Sequence, residues 1–417
     1  MRRFFPNTLN ESLLAAIPLS LIVAGLTGYW TLGGAAALGA MCVLAMRNPQ
    51  QEFVERWPWL ARFLTKAETT TKDETPSSPP PAPLPPPRKR PKRDSNSTPV
   101  DQMIAQGRVA LLLRPQIAAS LSGSELQTAH DALDEVMAIV PQGPVLVRAR
   151  CYDSLDEEAA ARAERLINVE GFFLDRYEVS NRDYLEFVQD GGYEQMSLWD
   201  EAIWPAVLGF VDRSGQAGPR FWEDGTFARN QDDFPVVGIS WYEACAYARW
   251  AGKRLPTDAE WVKAGSWPVF PDGSKPVQRR YPWGESMDRR RANLWGSGHN
   301  GPVPVHIMAD GASVNGVVQL VGNVWEWTSS TFGAWEPTGR KIETSQPLKS
   351  IRGGAYDTYF DTQAHCQFQS GAAPLERKHN IGFRCALGFC DVVHTGEDQG
   401  SEPDEAPATR ESQEVLA

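Results

Sequence analysis

The chain is poor in the residues that usually build metal and nucleophile centres. Its 417 residues hold only six cysteines and six histidines. No Cys-x-x-Cys pair occurs and no histidine stands at metal spacing from a cysteine, which argues against a local zinc site. His130, His299, His306, His365, His379 and His394 show no two-His-one-carboxylate spacing, so the signature of a non-heme iron centre is missing too. His365 beside Cys366 does not suggest a nucleophile and base, because neighbours on a strand point to opposite faces. Basic charge is in deficit: 41 Lys and Arg face 52 Asp and Glu, for a net charge of −11. That balance opposes general nucleic-acid binding. The cysteine count permits disulfides without requiring them.

Charge is absent altogether from residues 13–46, a run longer than the roughly 20 residues one helix needs to cross a bilayer. Two arrangements fit. One is a single transmembrane span. The other is a hairpin of two short spans turning near Gly25–Trp30. Arg2 and Arg3 in the 1–12 tail, with Arg47, Arg56, Arg62 and Lys66 after the run, favour the hairpin and a cytoplasmic bulk at a bacterial-type inner membrane. Residues 47–66 read as an interfacial segment with Trp57 and Trp59 at headgroup depth. Membrane lipid is thus one expected partner. Residues 67–100 form a basic linker in which nine prolines fall between Pro76 and Pro91, an extended, disordered spacer. Residues 101–167 read as a helical lead-in, with Leu126, Ala129, Leu133, Val136, Met137 and Val140 at helical spacing after Ser124. Residues 391–417 are acidic and poor in bulky apolar groups, the composition of a disordered tail.

Tryptophan and glycine are plentiful. Of 15 tryptophans only Trp30, Trp57 and Trp59 precede residue 198, and there are 35 glycines. Residues 168–390 should therefore form an irregular α+β domain held by aromatic packing. Residues 172–179 read as a strand leading into a helix at 180–189, and Phe234–Ile239 as a second strand. Ser240 with Glu243, and Thr257 with Glu260, are capping boxes that open two short helices. Gly252 suits the stop of the first. Residues 351–354 and 380–386 read as short strands with glycine at close approaches. In GNVWEWT (322–328) Glu326 lies between two indoles, so it must be paired or bind a cation.

Taken in order, EVSN (178–181), ISW (239–241), AGKRLPTDAEW (251–261), YPWG (281–284), ANLW (292–295), GNVWEWT, RGG (352–354) and GFRCA (382–386) resemble the formylglycine-generating enzyme (sulfatase-modifying factor) family. The resemblance covers about 168–388 and implies a C-type-lectin-like α+β fold. Active members oxidise a sulfatase cysteine to formylglycine, using oxygen and a copper ion held by two thiolates. Soft thiolates suit Cu(I), so the pair is a chemical requirement. Here Ala355 stands at the family's serine and Thr358 at its first cysteine. Asp361, Thr362 or Gln363 stands at its second. Cys366 matches a later structural cysteine, and Gln369 an active-site arginine. Copper is therefore not expected, and no catalytic residue is assigned. Ala355, Thr358, Gln369, Asn380 and Trp325 are the cleft candidates. Structural calcium is implied at Gln319, Gly322, Val324 and Glu326, and at Glu178, Asn293 and Leu294 with Ser297 near the place of an aspartate. Cys245 with Cys385 is a candidate disulfide; the family pairs the GFRC cysteine one helical turn further on, at the position of Ala248. The favoured function is a membrane-anchored, non-catalytic module that binds a peptide, protein or glycan. The alternative is an active oxidase of the formylglycine-generating type, or a divergent reaction in the same cleft.

Overall fold

The computed structural model describes residues 98–148, 164–269, 277–333 and 343–394, all within the unit Pro81–Ala417. The expected span at 13–46, the interfacial segment, most of the linker and the tail beyond residue 394 lie outside the described residues. No helix among the described residues is long and apolar enough to cross a membrane.

Four helices open the described chain: α1 (Pro99–Ala105), α2 (Val109–Leu112), α3 (Pro115–Ala118) and α4 (Gly123–Val136). Thr98 and Ser122 cap α1 and α4 through reciprocal boxes with Asp101 and Glu125. Helix α1 therefore starts inside the stretch read as linker, and α4 is capped by Ser122. The helical reading of 101–167 also needs correction. Strands β1 (Met137–Val140), β2 (Gly143–Arg148) and β3 (Glu164–Val169) interrupt it. Met137 and Val140 continue an apolar pattern, but they sit on a strand.

β1 pairs antiparallel with β4 (Phe172–Asp175), which pairs antiparallel with β9 (Ala386–Gly388). Side chains alternate across this sheet. Phe173, Leu387 and Met137 pack under α2 and α4 with Leu112, Leu113, Ala129 and Leu133. Phe172, Leu174, Ala386, Ala138 and Val140 pack on the opposite face with Trp261, Val262 and Leu320. The lead-in helices thus form one layer of the domain that carries the motifs.

Helices α5 (Asn181–Gln189), α7 (Trp241–Trp250) and α8 (Asp258–Ser266) are capped by Ser180, Ser240 and Thr257, each in a complete capping box; the one-turn helix α6 (Trp204–Val207) lies between α5 and α7. The last two boxes are the ones read from the sequence. Tyr184, Phe187, Trp199, Trp222, Tyr247, Trp250 and Phe383 form an aromatic core around α5 and α7. The strand expected at Phe234–Ile239 is reduced to one bridge between Ser180 and Pro235. Gly238 there has φ +75°, which breaks extended pairing.

A four-stranded sheet runs in the order β7 (Ser370–Ala372), β6 (Lys349–Arg352), β5 (Trp325–Thr331), β8 (Ile381–Gly382). β5 is antiparallel to β6 and parallel to β8, so GNVWEWT enters the middle of this sheet. Mixed helix and sheet, with long irregular connections, is the architecture.

Candidate functional site

Glu326 is fully buried and is not open to a cation. Arg384 donates from Nε at 2.8 Å and Nη2 at 2.6 Å to its two oxygens, and Trp261 Nε1 donates at 2.7 Å. Arg384 also reaches the carbonyls of Asp175 and Val318 at 3.0 and 2.9 Å. Burial alone would lower the pKa of Arg384, but Glu326 beside it raises it instead. At Glu326 a guanidinium supplies the counter-charge.

Of the remaining residues of that set, Gln319 is engaged through its amide nitrogen alone. The Gln319 amide donates to the carbonyl of Pro304 at 3.0 Å. Gly322 has φ +89°, and Val324 is buried. In the second set Asn293 Oδ1 accepts from the Ser297 hydroxyl at 2.7 Å, and the Leu294 carbonyl accepts from Ser297 N at 3.0 Å. Glu178 Oε1 accepts from Asn323 Nδ2 at 3.0 Å. A calcium ion wants several free oxygens, and in these sets the carboxylate of Glu326 and the amide oxygen of Asn293 are already hydrogen-bonded within the protein. Two oxygens stay buried without a partner, Glu178 Oε2 and Gln319 Oε1. Burial, aided by Glu326, pushes the Glu178 carboxyl up to about 8 against the opposing pull of Arg384.

A second buried network centres on Asp258, the first residue of α8. Its Oδ2 accepts from Arg352 Nη2 at 2.7 Å, Gln369 Nε2 at 2.6 Å and the Ser350 hydroxyl at 2.9 Å. Its Oδ1 accepts from the Thr328 hydroxyl at 2.7 Å. Burial would raise this carboxyl, but the Arg352 charge and the hydrogen bonds from Arg352, Thr328 and Ser350 hold it below the usual range. Gln369 therefore belongs to the sheet's internal network, not to an open cleft.

The segment that follows the glycine pair turns back on itself. Thr358 Oγ1 accepts from Ala355 N at 2.8 Å, and Thr358 N donates to the Ala355 carbonyl at 2.8 Å. Ala355 and Thr358 are buried, and Gln363 is half-buried on a short turn. Cys366 is buried, its sulfur packed where a side chain on Gly265 would stand. Burial raises its thiol far above the usual range. No thiolate pair can form here, so the residues present do not fit a copper ion. Cys245, Cys366, Cys385 and Cys390 are all free thiols. The candidate disulfide is thereby corrected: the Cys385 thiol is hydrogen-bonded to Asp175 instead of joined to Cys245. Among the described residues no group of three His, Cys, Asp or Glu side chains is placed to hold a metal ion.

Around this turn lies an exposed rim that the sequence reading missed. Trp295, Tyr359 and Phe360 are 54%, 62% and 60% exposed. Trp295 meets Tyr359 at 6.3 Å between ring centres, and Tyr359 meets Phe360 at 5.1 Å. The Trp295 amide donates to the Thr358 carbonyl at 3.3 Å, which fixes the rim to the turn. Asn380 donates to both oxygens of Asp357 at 3.2 and 3.0 Å, and its carbonyl accepts from Trp325 N at 2.9 Å. The structure thus groups Ala355, Thr358 and Asn380 with Trp325 and separates Gln369 from them. Two consecutive aromatics in an irregular loop, at 359–360, were the available signal.

Residues 124–388 match the model of the sulfatase-modifying factor enzyme 1-like domain. A hercynine oxygenase of Mycolicibacterium thermoresistibile is 36% identical over 56% of this chain and 55% of its own length. The chain spans about half the length of the hercynine oxygenases it matches. An inactive C-alpha-formylglycine-generating enzyme 2 of Mus musculus is 31% identical, with 64% of this chain and 90% of that protein aligned. Among solved structures, PvdO from Pseudomonas aeruginosa matches at 21% identity and a TM-score of 0.40, over 61% of this chain and 94% of that one.

Proposed function

The chain belongs to the sulfatase-modifying factor enzyme 1-like family, and from that premise we propose that it is a non-catalytic, membrane-anchored binding module of lectin-like fold. Its ligand is a peptide, protein or glycan held at the aromatic rim of Trp295, Tyr359 and Phe360. The observation that carries the reading is the Ala355–Thr358 turn. The hydroxyl that stands at the family's first thiolate position is committed to a backbone N–H. A relative named as inactive, aligned over 90% of its length, supports the same reading. Exposed aromatics supply large contact area at small entropic cost, the usual composition of a recognition surface. The uncharged run at 13–46 and the proline-rich linker suit a tethered domain at a bacterial-type inner membrane, with its bulk on the cytoplasmic side.

The second reading is catalysis by different chemistry. It rests on relatives named hercynine oxygenase at 35–37% identity, and it would place a divergent reaction at the same rim.

The test has two arms. The full chain is incubated with Cu(I) and a sulfatase-type cysteine peptide, and peptide mass is followed; aldehyde formation would sink the non-catalytic reading. Peptide and glycan libraries are then screened against the full chain and against Trp295→Ala and Tyr359→Ala. Binding that survives both substitutions unchanged would remove the rim from the proposal.

A further inference from the structure

Helix α8 carries a buried lysine without a counter-charge. Lys263, in its last turn, is 4% exposed. Its Nζ donates at 2.6 Å to the carbonyl of Gly143, the first residue of β2. An ammonium has three N–H donors, and this is the one hydrogen bond it makes among the described residues. No carboxylate among those residues pairs with it, and burial pulls its pKa below the ordinary lysine value. Lys253 shows the contrast: also largely buried, it pairs with Asp175 at 2.6 Å and its pKa is raised. Lysine is almost never fully buried unless it is paired.

The ammonium borders a cavity of about 140 Å³, between the turn at 141–144 and residues 267–268 beyond α8. Gly143 and Lys263 both line it. A Cβ on Gly143 would stand 3.2 Å from Nζ, so the charge lies at the cavity wall. None of the described lining residues is acidic, in a chain of net charge −11. Two further donors line the space, the Trp267 indole N–H and the Gln142 amide, and neither makes a hydrogen bond among the described residues. Glycine usually ends a helix in the left-handed conformation. Here Trp267 does so, at φ +41°, which brings an indole to the cavity. The end of α8 would repel an anion through its carbonyls. Those of Val262, Lys263 and Ser266 already accept from Ser266 Oγ, Trp267 N and Arg279 N.

We propose that this cavity binds a small aliphatic carboxylate, whose oxygens accept from the remaining N–H groups of Lys263 and supply its missing counter-charge. The site shares no residue with the aromatic rim. Pro141, Pro144 and Pro268, with the Trp267 ring, line it and suit a short alkyl body. The volume is below that of drug-sized sites, which selects an acid of a few carbons. A phosphate or sulfate would call for several cationic or main-chain donors, and a single ammonium is present. A cation is disfavoured by the ammonium itself.

The probe is propionate, titrated calorimetrically into the full chain, with propylammonium and phosphate as comparison ligands. One propionate should bind per chain and propylammonium should not. Lys263→Met keeps an apolar stem and removes the charge. It should weaken binding about tenfold or more, the usual effect of losing one charged hydrogen-bond partner. Gln142 is exposed, so Gln142→Trp crowds the cavity without touching the core. It should weaken binding by a similar factor, and it decides the matter alone if Lys263→Met fails to fold. The proposal is overturned if propionate does not bind, if propylammonium binds equally well, or if propionate binding is unchanged in folded Lys263→Met. Where that variant does not fold, unchanged binding in Gln142→Trp overturns it. Phosphate binding more tightly than propionate, with the same dependence on Lys263, would overturn the assignment to a carboxylate.

Discussion

Asp258 is the residue on which the sheet and helix α8 are joined, and its replacement by asparagine should be among the most damaging conservative changes in the chain. Oδ2 is the hub: it accepts from Arg352, Gln369 and Ser350. An amide nitrogen in its place would set one donor against three. Alternatively the amide would flip and lose Thr328. Either way Arg352, fully buried, loses its only ionic partner among the described residues. Its Nη1 would keep the carbonyls of Gln367 and Phe368 at 3.2 and 3.1 Å, which do not neutralise it. Removing one partner of a buried pair costs about 3–5 kcal/mol. For a domain of this size that is a loss of about 10 °C in Tm or somewhat more. Denaturant unfolding of the full chain, followed by the fluorescence of buried Trp261 and Trp327, measures it. Arg352→Met alone should cost a comparable amount. The double substitution should recover about 1–3 kcal/mol relative to the sum, because neither charge is then left unpaired. The stabilisation has a definite pH sign. A carboxyl held below its unfolded value stabilises the fold above that value, and the contribution is lost as pH falls through the depressed folded pKa. A change below about 0.5 kcal/mol for Asp258→Asn, or strict additivity in the double substitution, would refute the reasoning.

Glu178 should give the opposite pH dependence. Its carboxyl is raised from 4.5 to about 8, so its contribution is complete below the unfolded value and declines as pH rises through the folded one. The decline is roughly 1.4 kcal/mol per pH unit between those limits, and Glu178→Gln should flatten that part of a stability-against-pH curve. In a chain carrying Cys42→Ser and Cys151→Ser, Cys390 should be the first thiol to react with Ellman's reagent, since it alone of the four described thiols is exposed. Burial pushes the Cys245 thiol up to about 12 and also raises those of Cys366 and Cys385, so these three should react only on unfolding; early reaction of Cys366 would contradict its placement. Gly322→Ala should destabilise by about 1–3 kcal/mol from backbone strain alone. Its φ is +89° and a Cβ would stand 2.6 Å from the Asn293 carbonyl. Thermal unfolding indistinguishable from the parent would show that this approach is looser than described.

The elements legible in the sequence were those written locally. Capping boxes at Ser240 and Thr257 need only residues three apart, and both form as read. The aromatic core follows from the density of tryptophan after residue 198. What failed depended on partners distant in the chain. Met137 and Val140 continue a helical spacing from α4, yet β4 draws them into a sheet through Asp175 and Phe172. Glu326 and Glu178 look alike as carboxylates in a motif. Their fates diverge because Arg384, 58 residues from Glu326, bonds one and not the other. Gln369 was read as a cleft residue, but its amide reaches Asp258, 111 residues away.

On the proposed reading, the segment after the glycine pair keeps the family scaffold with other bonds in place of a thiolate pair. A copper centre needs two thiolates brought together and left free of other bonds. In this chain the donors near that place are drawn into the structure, while Gln369 Oε1 and Asn380 Oδ1 stay buried without a partner. Thr358 closes its own turn, Gln369 completes the Asp258 network, and Asn380 clamps Asp357. Their hydrogen bonds satisfy buried partners and hold the loop in place. Reactivity and internal satisfaction compete for the same lone pairs. Restoring Thr358→Cys alone should therefore break the turn's hydrogen bond and still leave only one thiol, giving a less stable chain without a copper site. Tight Cu(I) binding by that single substitution would show that a second thiolate is already within reach and that the loop is not committed as described.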